Sequence, residues 1–140
     1  MVTIREVDWD KVDNREEGAL DNIIHTLFKK KSKPEYEWIE AMAFSPPPGN
    51  DPKKAPEYLA IGNHNNYIYL LDTKKYSEKK MIKVSAGSSF VTALDWTDDA
   101  QYLRTVTGAY ELTFVNLGIA KKDKRDPHGP SNTQGSNWCD

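Results

Sequence analysis

SAGSSFVTALDW (Ser85–Trp96), a Thr97-Asp98-Asp99-Ala100 link, and YLRTVTGAYELTFVN (Tyr102–Asn116) decide the reading of this chain. Val91–Trp96, Tyr102–Thr107 and Glu111–Leu117 are short apolar runs rich in β-branched and aromatic residues, which suits half-buried strands. Asp98-Asp99 and Gly108-Ala109 separate them with residues that favour turns. Three successive antiparallel strands are predicted.

The same phrase occurs upstream. Ala41-Met42-Ala43-Phe44-Ser45 lies over Ala93-Leu94-Asp95-Trp96-Thr97 at an offset of 52 residues. Tyr58-Leu59 lies over Tyr102-Leu103, and Tyr67–Asp72 over Glu111–Asn116, at an offset of 44. The 8-residue difference falls in the proline-rich stretch Ser45–Pro52, where three successive prolines exclude a helix or central strand and predict an exposed loop. Trp38–Phe44 (WIEAMAF) fits a helix or a strand by periodicity alone; its neighbours favour strand. Gly62–Asn66 is a predicted turn, and Met81–Val84 a short strand. A third, partial copy stands at the start: Val2–Arg5 matches Ile68–Leu71, and Ile24–Lys30 precedes Trp38 much as Met81–Val84 precedes Phe90. Four short strands in about 45 to 50 residues is the period of a β-propeller blade.

These residues carry a resemblance. AFSP (Ala43–Pro46) and EYLAIGNHNNYIYLLD (Glu57–Asp72) resemble WD-repeat phrases. Ser85–Trp96 and Tyr102–Asn116, with the opening VTIRE (Val2–Glu6), are similar to the atypical repeats of the echinoderm microtubule-associated protein-like family. The resemblance covers roughly residues 1 to 117. It implies an all-β, WD40-type propeller fragment of about 2.5 four-stranded antiparallel blades. Residues 1–37 would end a preceding blade with a long loop. Residues 38–88 would form one blade with the insertion at 46–56, and 89–117 the inner strands of another. Residues 118–140 would be a polar loop or disordered tail, with Asn137–Asp140 starting a further blade. The family's Gly-His pair is replaced by Gly87-Ser88, its Trp-Asp ending by Leu71-Asp72 and Val115-Asn116, and its turn Asp by Asn65 and Ala109. The buried Asp–His network of regular blades is therefore expected to be absent or altered. The family implies microtubule association and a cytoskeletal, cytoplasmic or ciliary setting. Its tubulin or axonemal partners are carried over by name only, because its hydrophobic motif and a coiled-coil segment are not visible.

A propeller needs roughly 4 to 8 blades, so open blade faces require neighbours. They would come from the same parent chain or from self-association, and the first is favoured.

The formal net charge of −2 gives no basic field for nucleic acid or an anionic membrane. Basic runs at Lys29–Lys31, Lys121-Lys122 and Lys124-Arg125 read as solvated loops or as contacts for an acidic partner. The one cysteine, Cys139, cannot make an internal disulfide and suits a reducing compartment. No apolar run approaches the roughly 20 residues that span a bilayer.

No catalytic, cofactor or metal site is expected. His25, His64 and His128 lack metal spacing, as does His128 with Cys139; His64 is read as shaping its turn. Asp98 and Asp99 are assigned to turn formation, and Asp95 to a half-buried, paired position with a backbone amide as its expected partner. Ser88-Ser89 lacks a nucleophile elbow, and Gly87 alone cannot cradle phosphate. Trp38, Trp96, Tyr58 and Tyr102 are assigned to sheet packing, while Trp9 and Trp138 have no clear place. The favoured function is a non-enzymatic protein-interaction scaffold, with Pro46–Pro56 and the basic tail as contact surfaces. A propeller attached to an enzyme in a longer protein and a small independent β domain are the alternatives.

Overall fold

The computed structural model describes residues 1–28 and 38–139. The run Lys29–Lys31, with the end of the Ile24–Lys30 stretch, and Asp140 lie outside them. Two compact units, Met1–Tyr36 and Glu37–Asp140, divide the chain.

The first unit is an antiparallel pair, β1 (Val2–Arg5) and β2 (Ile23–Leu27), in register Val2 to Leu27 with an irregularity at Ile4/Arg5. The polar stretch between them is not featureless. It holds a short helix, α1 (Trp9–Asp13), whose first turn is capped by the Asp8 carboxylate accepting from the Lys11 backbone N–H. Glu6 N–H to the Asn22 carbonyl, and Asp8 N–H to the Ala19 carbonyl, close its base.

The second unit contains two four-stranded antiparallel sheets. One runs in sequence order: β3 (Ile39–Phe44), β4 (Tyr58–Asn63), β5 (Tyr67–Asp72) and β6 (Ile82–Ser85). The ambiguous stretch at Trp38–Phe44 is a strand from Ile39 onward. Ile39, Ala41 and Ala43 are half-buried, while Glu40, Met42 and Phe44 are exposed, an alternation that only a strand gives. The other sheet contains β7 (Val91–Thr97), β8 (Tyr102–Thr107) and β9 (Leu112–Asn116).

The core lies where these sheets pack together. Ala60, Ile68, Leu70 and Val84 from the first meet Val91, Trp96, Leu103 and Val115 from the second in one buried cluster. Trp96, 1% exposed, stacks on Tyr58 at 6.4 Å and donates its indole N–H to the Ala43 carbonyl at 3.2 Å. The strand edge of one sheet thus satisfies the polar atom of the largest core residue of the other. Thr105 and Thr107, also buried, use their hydroxyls within the sheet: Thr105 donates to the Ala93 carbonyl, Thr107 to Glu111.

The polar tail, expected to be loop or disordered, folds back. Asn116 N–H donates to the Lys124 carbonyl and Asp126 N–H to the Phe114 carbonyl, making a bridge of Val115 to Arg125 beside β9. A short helical turn, α2 (Gly129–Asn132), follows, and β10 (Trp138–Cys139) pairs antiparallel with β7. Trp138-Cys139, in the stretch expected to open a further blade, therefore belongs to the second sheet itself, which has the order β10-β7-β8-β9.

The two sheets approach closely at Gly62. A Cβ there would overlap the Val91 side chain of the facing sheet. Gly62→Ala is expected to cost about 1–3 kcal/mol, the range for overpacking a well-packed core. Adding Val91→Ala should recover part of that loss, because the second change opens the space the first one fills. Chemical denaturation of the two single variants and the double variant checks this; strict additivity would rule out the contact.

Candidate interaction surfaces at the blade ends

Turns from both sheets of the second unit gather at each end of the strands. At one end lie the β4–β5 turn, the β6–β7 link and the β8–β9 turn. The His64 ring stacks on Phe90, with centroids 4.9 Å apart and planes within 6°, and meets Trp38 edge-on at 5.5 Å. His64 Nδ1 lies 2.9 Å from Glu40 Oε1, and the His64 backbone N–H donates to the Trp38 carbonyl. His64 therefore does more than shape its turn: it joins an aromatic cluster drawn from both sheets. Trp38, assigned to sheet packing, is 76% exposed, because it precedes the first paired residue of β3, and its ring meets the edge of this cluster. Tyr110 at the next turn is 91% exposed.

The same end shows what replaces the Asp–His network. Glu111 Oε2 accepts from the Ser88 N–H at 2.8 Å and from the Thr107 hydroxyl at 2.9 Å; Glu111 Oε1 accepts from the Ser88 hydroxyl at 3.0 Å. Ser88 stands where the family has His, and Glu111, just past Ala109, supplies the carboxylate. Gly87 has φ +139°, and a Cβ on it would run into that carboxylate. Ser88 and Gly87 are thus both fitted to the Glu111 carboxylate. In the first sheet, the Asn66 side chain donates to the Gly87 carbonyl at 2.6 Å.

At the other end, the insertion at Pro46–Pro56 is fastened at its base. The Ser45 hydroxyl accepts from the Glu57 and Tyr58 N–H groups, and Thr73 donates to the Pro56 carbonyl. Between them, the loop borders a groove shared with Asp99–Gln101 and Leu117-Gly118. Asp99 does make its turn, accepting from Thr97 and from the Gln101 N–H. Lys121 and Lys122 are exposed, but the other half of the basic run is engaged. Lys124 donates to the Ile119 carbonyl at 2.6 Å, and Arg125 forms a two-pronged pair with Asp123, whose carboxyl it holds down at about 2.

Asp95 is half-buried, as expected, but pairs with the Arg104 guanidinium at 2.6 Å instead of a backbone amide. Tyr58 packs on Trp96, and the Tyr102 hydroxyl donates to Asp126. His25 stands on β2 opposite Ile4, and Trp9 is largely exposed. The His128 backbone N–H donates to Asp126. Among the described residues, no three His, Cys, Asp or Glu side chains come together to hold a metal.

The Glu111 carboxyl is held below its usual value of 4.5, first by the Ser88 N–H, then by the Thr107 and Ser88 hydroxyls, against an opposing contribution from burial. A depressed folded-state value means that the stabilisation is complete above the unfolded value and fades as pH falls through the folded one. Glu111→Gln should therefore destabilise the chain above pH 4.5 and flatten its loss of stability on acidification. Urea midpoints across that range check this; parallel curves for the two chains would contradict it.

No family model matches the chain. It is 39% identical over 120 residues to a ciliary WD repeat-containing protein, ctxp80, of Euplotoides octocarinatus, covering 86% of this chain and 14% of that protein. It is 45% identical over 68 residues to the 77 kDa echinoderm microtubule-associated protein of Lytechinus variegatus (47% of this chain, 10% of the other). It is 33% identical over 88 residues to echinoderm microtubule-associated protein-like 2 of Rattus norvegicus (61% and 12%). The chain thus spans between a tenth and a seventh of the length of these relatives. Two packed antiparallel sheets with the blade period, together with these relatives, place the chain among the WD-repeat proteins of the echinoderm microtubule-associated protein-like family, as a partial propeller.

Proposed function

We propose that this chain is a non-catalytic scaffold whose loop-built blade ends hold other proteins in a microtubule-associated setting, in the cytoplasm or a cilium. The observation that carries the reading is the cluster of exposed and half-exposed aromatic residues drawn from both blades, Trp38, His64 and Phe90, with Tyr110 on the neighbouring turn. Aromatic side chains offer large contact area at little entropic cost, and they dominate protein interfaces. The names of the relatives, ciliary and microtubule-associated, favour tubulin or axonemal proteins as the partner class.

In this reading, residues 1–37 end one blade, 38–88 form a second, and 89–117, joined by β10, form a third. The remaining blades come from the same parent chain or from other copies. The Pro46–Pro56 loop and the free lysines Lys121 and Lys122 form a second contact surface.

Co-sedimentation with assembled microtubules tests the partner. The chain is expected to pellet with them, and a Trp38→Ala/Tyr110→Ala variant to pellet several-fold less while keeping the melting curve of the parent. Replacing residues 47–55 with a short Gly-Ser link, which spares the Ser45 and Pro56 fastenings, should leave folding intact. A chain that stays in the supernatant even at low salt would remove microtubules as its direct partner.

A further inference from the structure

The β7 edge of the second sheet is partly occupied. On the side of β7 away from β8, the ladder covers only Trp96 and Thr97, paired with Cys139 and Trp138. Val91–Asp95 have no strand partner on that side among the described residues. An unpaired edge is a template for an extended segment.

The segment that fills this edge is seated by more than its backbone. The Trp138 ring lies over the Arg104 guanidinium, 4.0 Å from carbon to ring centroid, and meets Phe114 edge-on at 6.1 Å. Arg104 is itself held by Asp95, whose other oxygen is buried and has no hydrogen-bond partner among the described residues. Asn137 adds two bonds to Asp98: its carbonyl accepts from the Asp98 N–H at 3.0 Å, and its amide donates to the carboxylate at 3.2 Å. Backbone pairing, an aromatic seat and a side-chain amide bond together make a strand-addition site with sequence preference.

The arm that reaches this seat is rooted firmly but jointed. Burial pushes the Asp126 carboxyl up, but bonds from the His128 N–H, Tyr102, Asn132 and Asn116 outweigh it and hold the charge. Thr133, 6% exposed, closes the following turn by donating to the Gly129 carbonyl at 2.7 Å. Beyond it, Gly135 has φ +87° and open space around the position of a Cβ, and the arm turns there on a single backbone bond from the Ser136 N–H to the Thr133 carbonyl.

We propose that the β7 edge is a docking site for an extended peptide carrying an Asn-Trp pair, and that Asn137–Cys139 is an exchangeable internal occupant that shields it. The ligand class is a partner protein's extended segment with an aromatic side chain for the Arg104–Phe114 seat and an amide or hydroxyl side chain before it for Asp98.

The test uses the full chain carrying Trp138→Ala, which empties the seat but leaves β7, Arg104 and Phe114 in place. The probe is a fluorescent peptide of residues Gly135–Asp140, with Cys139→Ser to prevent oxidation. An internal arm acts at an effective concentration of about 1 mM. The peptide is therefore expected to bind the variant at least tenfold more tightly than the unaltered chain. Its binding should be lost when its own Trp is replaced by Ala. It should weaken several-fold when the chain also carries Arg104→Lys, which keeps the charge but removes the planar stacking surface. Equal binding to both chains, or to neither, overturns the proposal.

If Trp138→Ala does not fold, the unaltered chain decides. At peptide concentrations of several millimolar, the NMR signals of the Trp138 indole and the Arg104 guanidinium should move together to displaced positions, and unmoved signals overturn the proposal. A concentration-dependent dimer with exchanged arms would assign the seat to a second copy and would equally overturn a site for an external peptide.

Discussion

The second unit depends on one contact: a buried tryptophan of one sheet bonded to a backbone carbonyl of the other. Trp96 is the largest fully buried side chain, and its indole N–H has to be satisfied inside the core. Ala43 supplies the acceptor because β3 borders the interface and its residues facing β7 are small. The neighbouring approach of Val91 to Gly62 has the same logic, since a side chain is absent on one sheet where a branched one projects from the other. Together these contacts set how closely the sheets pack, and hence which turns lie side by side at each end. The aromatic cluster of Trp38, His64 and Phe90 follows from that spacing, since Phe90 belongs to one sheet's approach and His64 to the other's turn.

The sheets themselves were legible in the sequence because hydrophobic alternation and turn residues are local signals. Each strand from β3 to β9 lies within a residue or two of its expected place, and the proline-rich insertion is an exposed loop. The helix α1 was not foreseen, since its stability comes from the Asp8 cap and loop closure and its apolar residues show no periodicity. Trp38 misled for a related reason. Composition marks a tryptophan as a packing residue, but only the register of β3 reveals that it falls just before the ladder.

The polar network at the aromatic end shows a different limit. Comparing family positions revealed the loss of the His and the Asp, and stopped there. The carboxylate that replaces the Asp comes from Glu111, displaced along the turn from Ala109, so no position-by-position comparison finds it. The available signal was chemical: a Gly-Ser pair brought by the repeat next to a Thr-Gly-Ala-Tyr-Glu turn offers two hydroxyls, a backbone N–H and one carboxylate. Ser88, Thr107 and Glu111 thus tie the β6–β7 link to the β8–β9 turn.

The tail was the least legible part, because its order is long-range and polar. Pro127, Gly129, Pro130 and Gly135 read locally as breakers, and the sequence shows no apolar run there. Its fixed portion is assembled around Asp126, which gathers donors from Tyr102, Asn132 and the His128 backbone. Two of those donors lie within the tail and one on β8, so the carboxylate adds a charged link to the backbone bonds that join the segment to β9. Such a hub rewards a single backbone path and leaves the chain beyond it governed only by what it can reach. For the arm past Gly135, that is the Arg104–Phe114 seat. Arg104 is planar and already neutralised by Asp95, so an indole can lie on it without uncovering an unpaired charge. The face of the second sheet that pairs its own charge therefore also holds the tail's tryptophan.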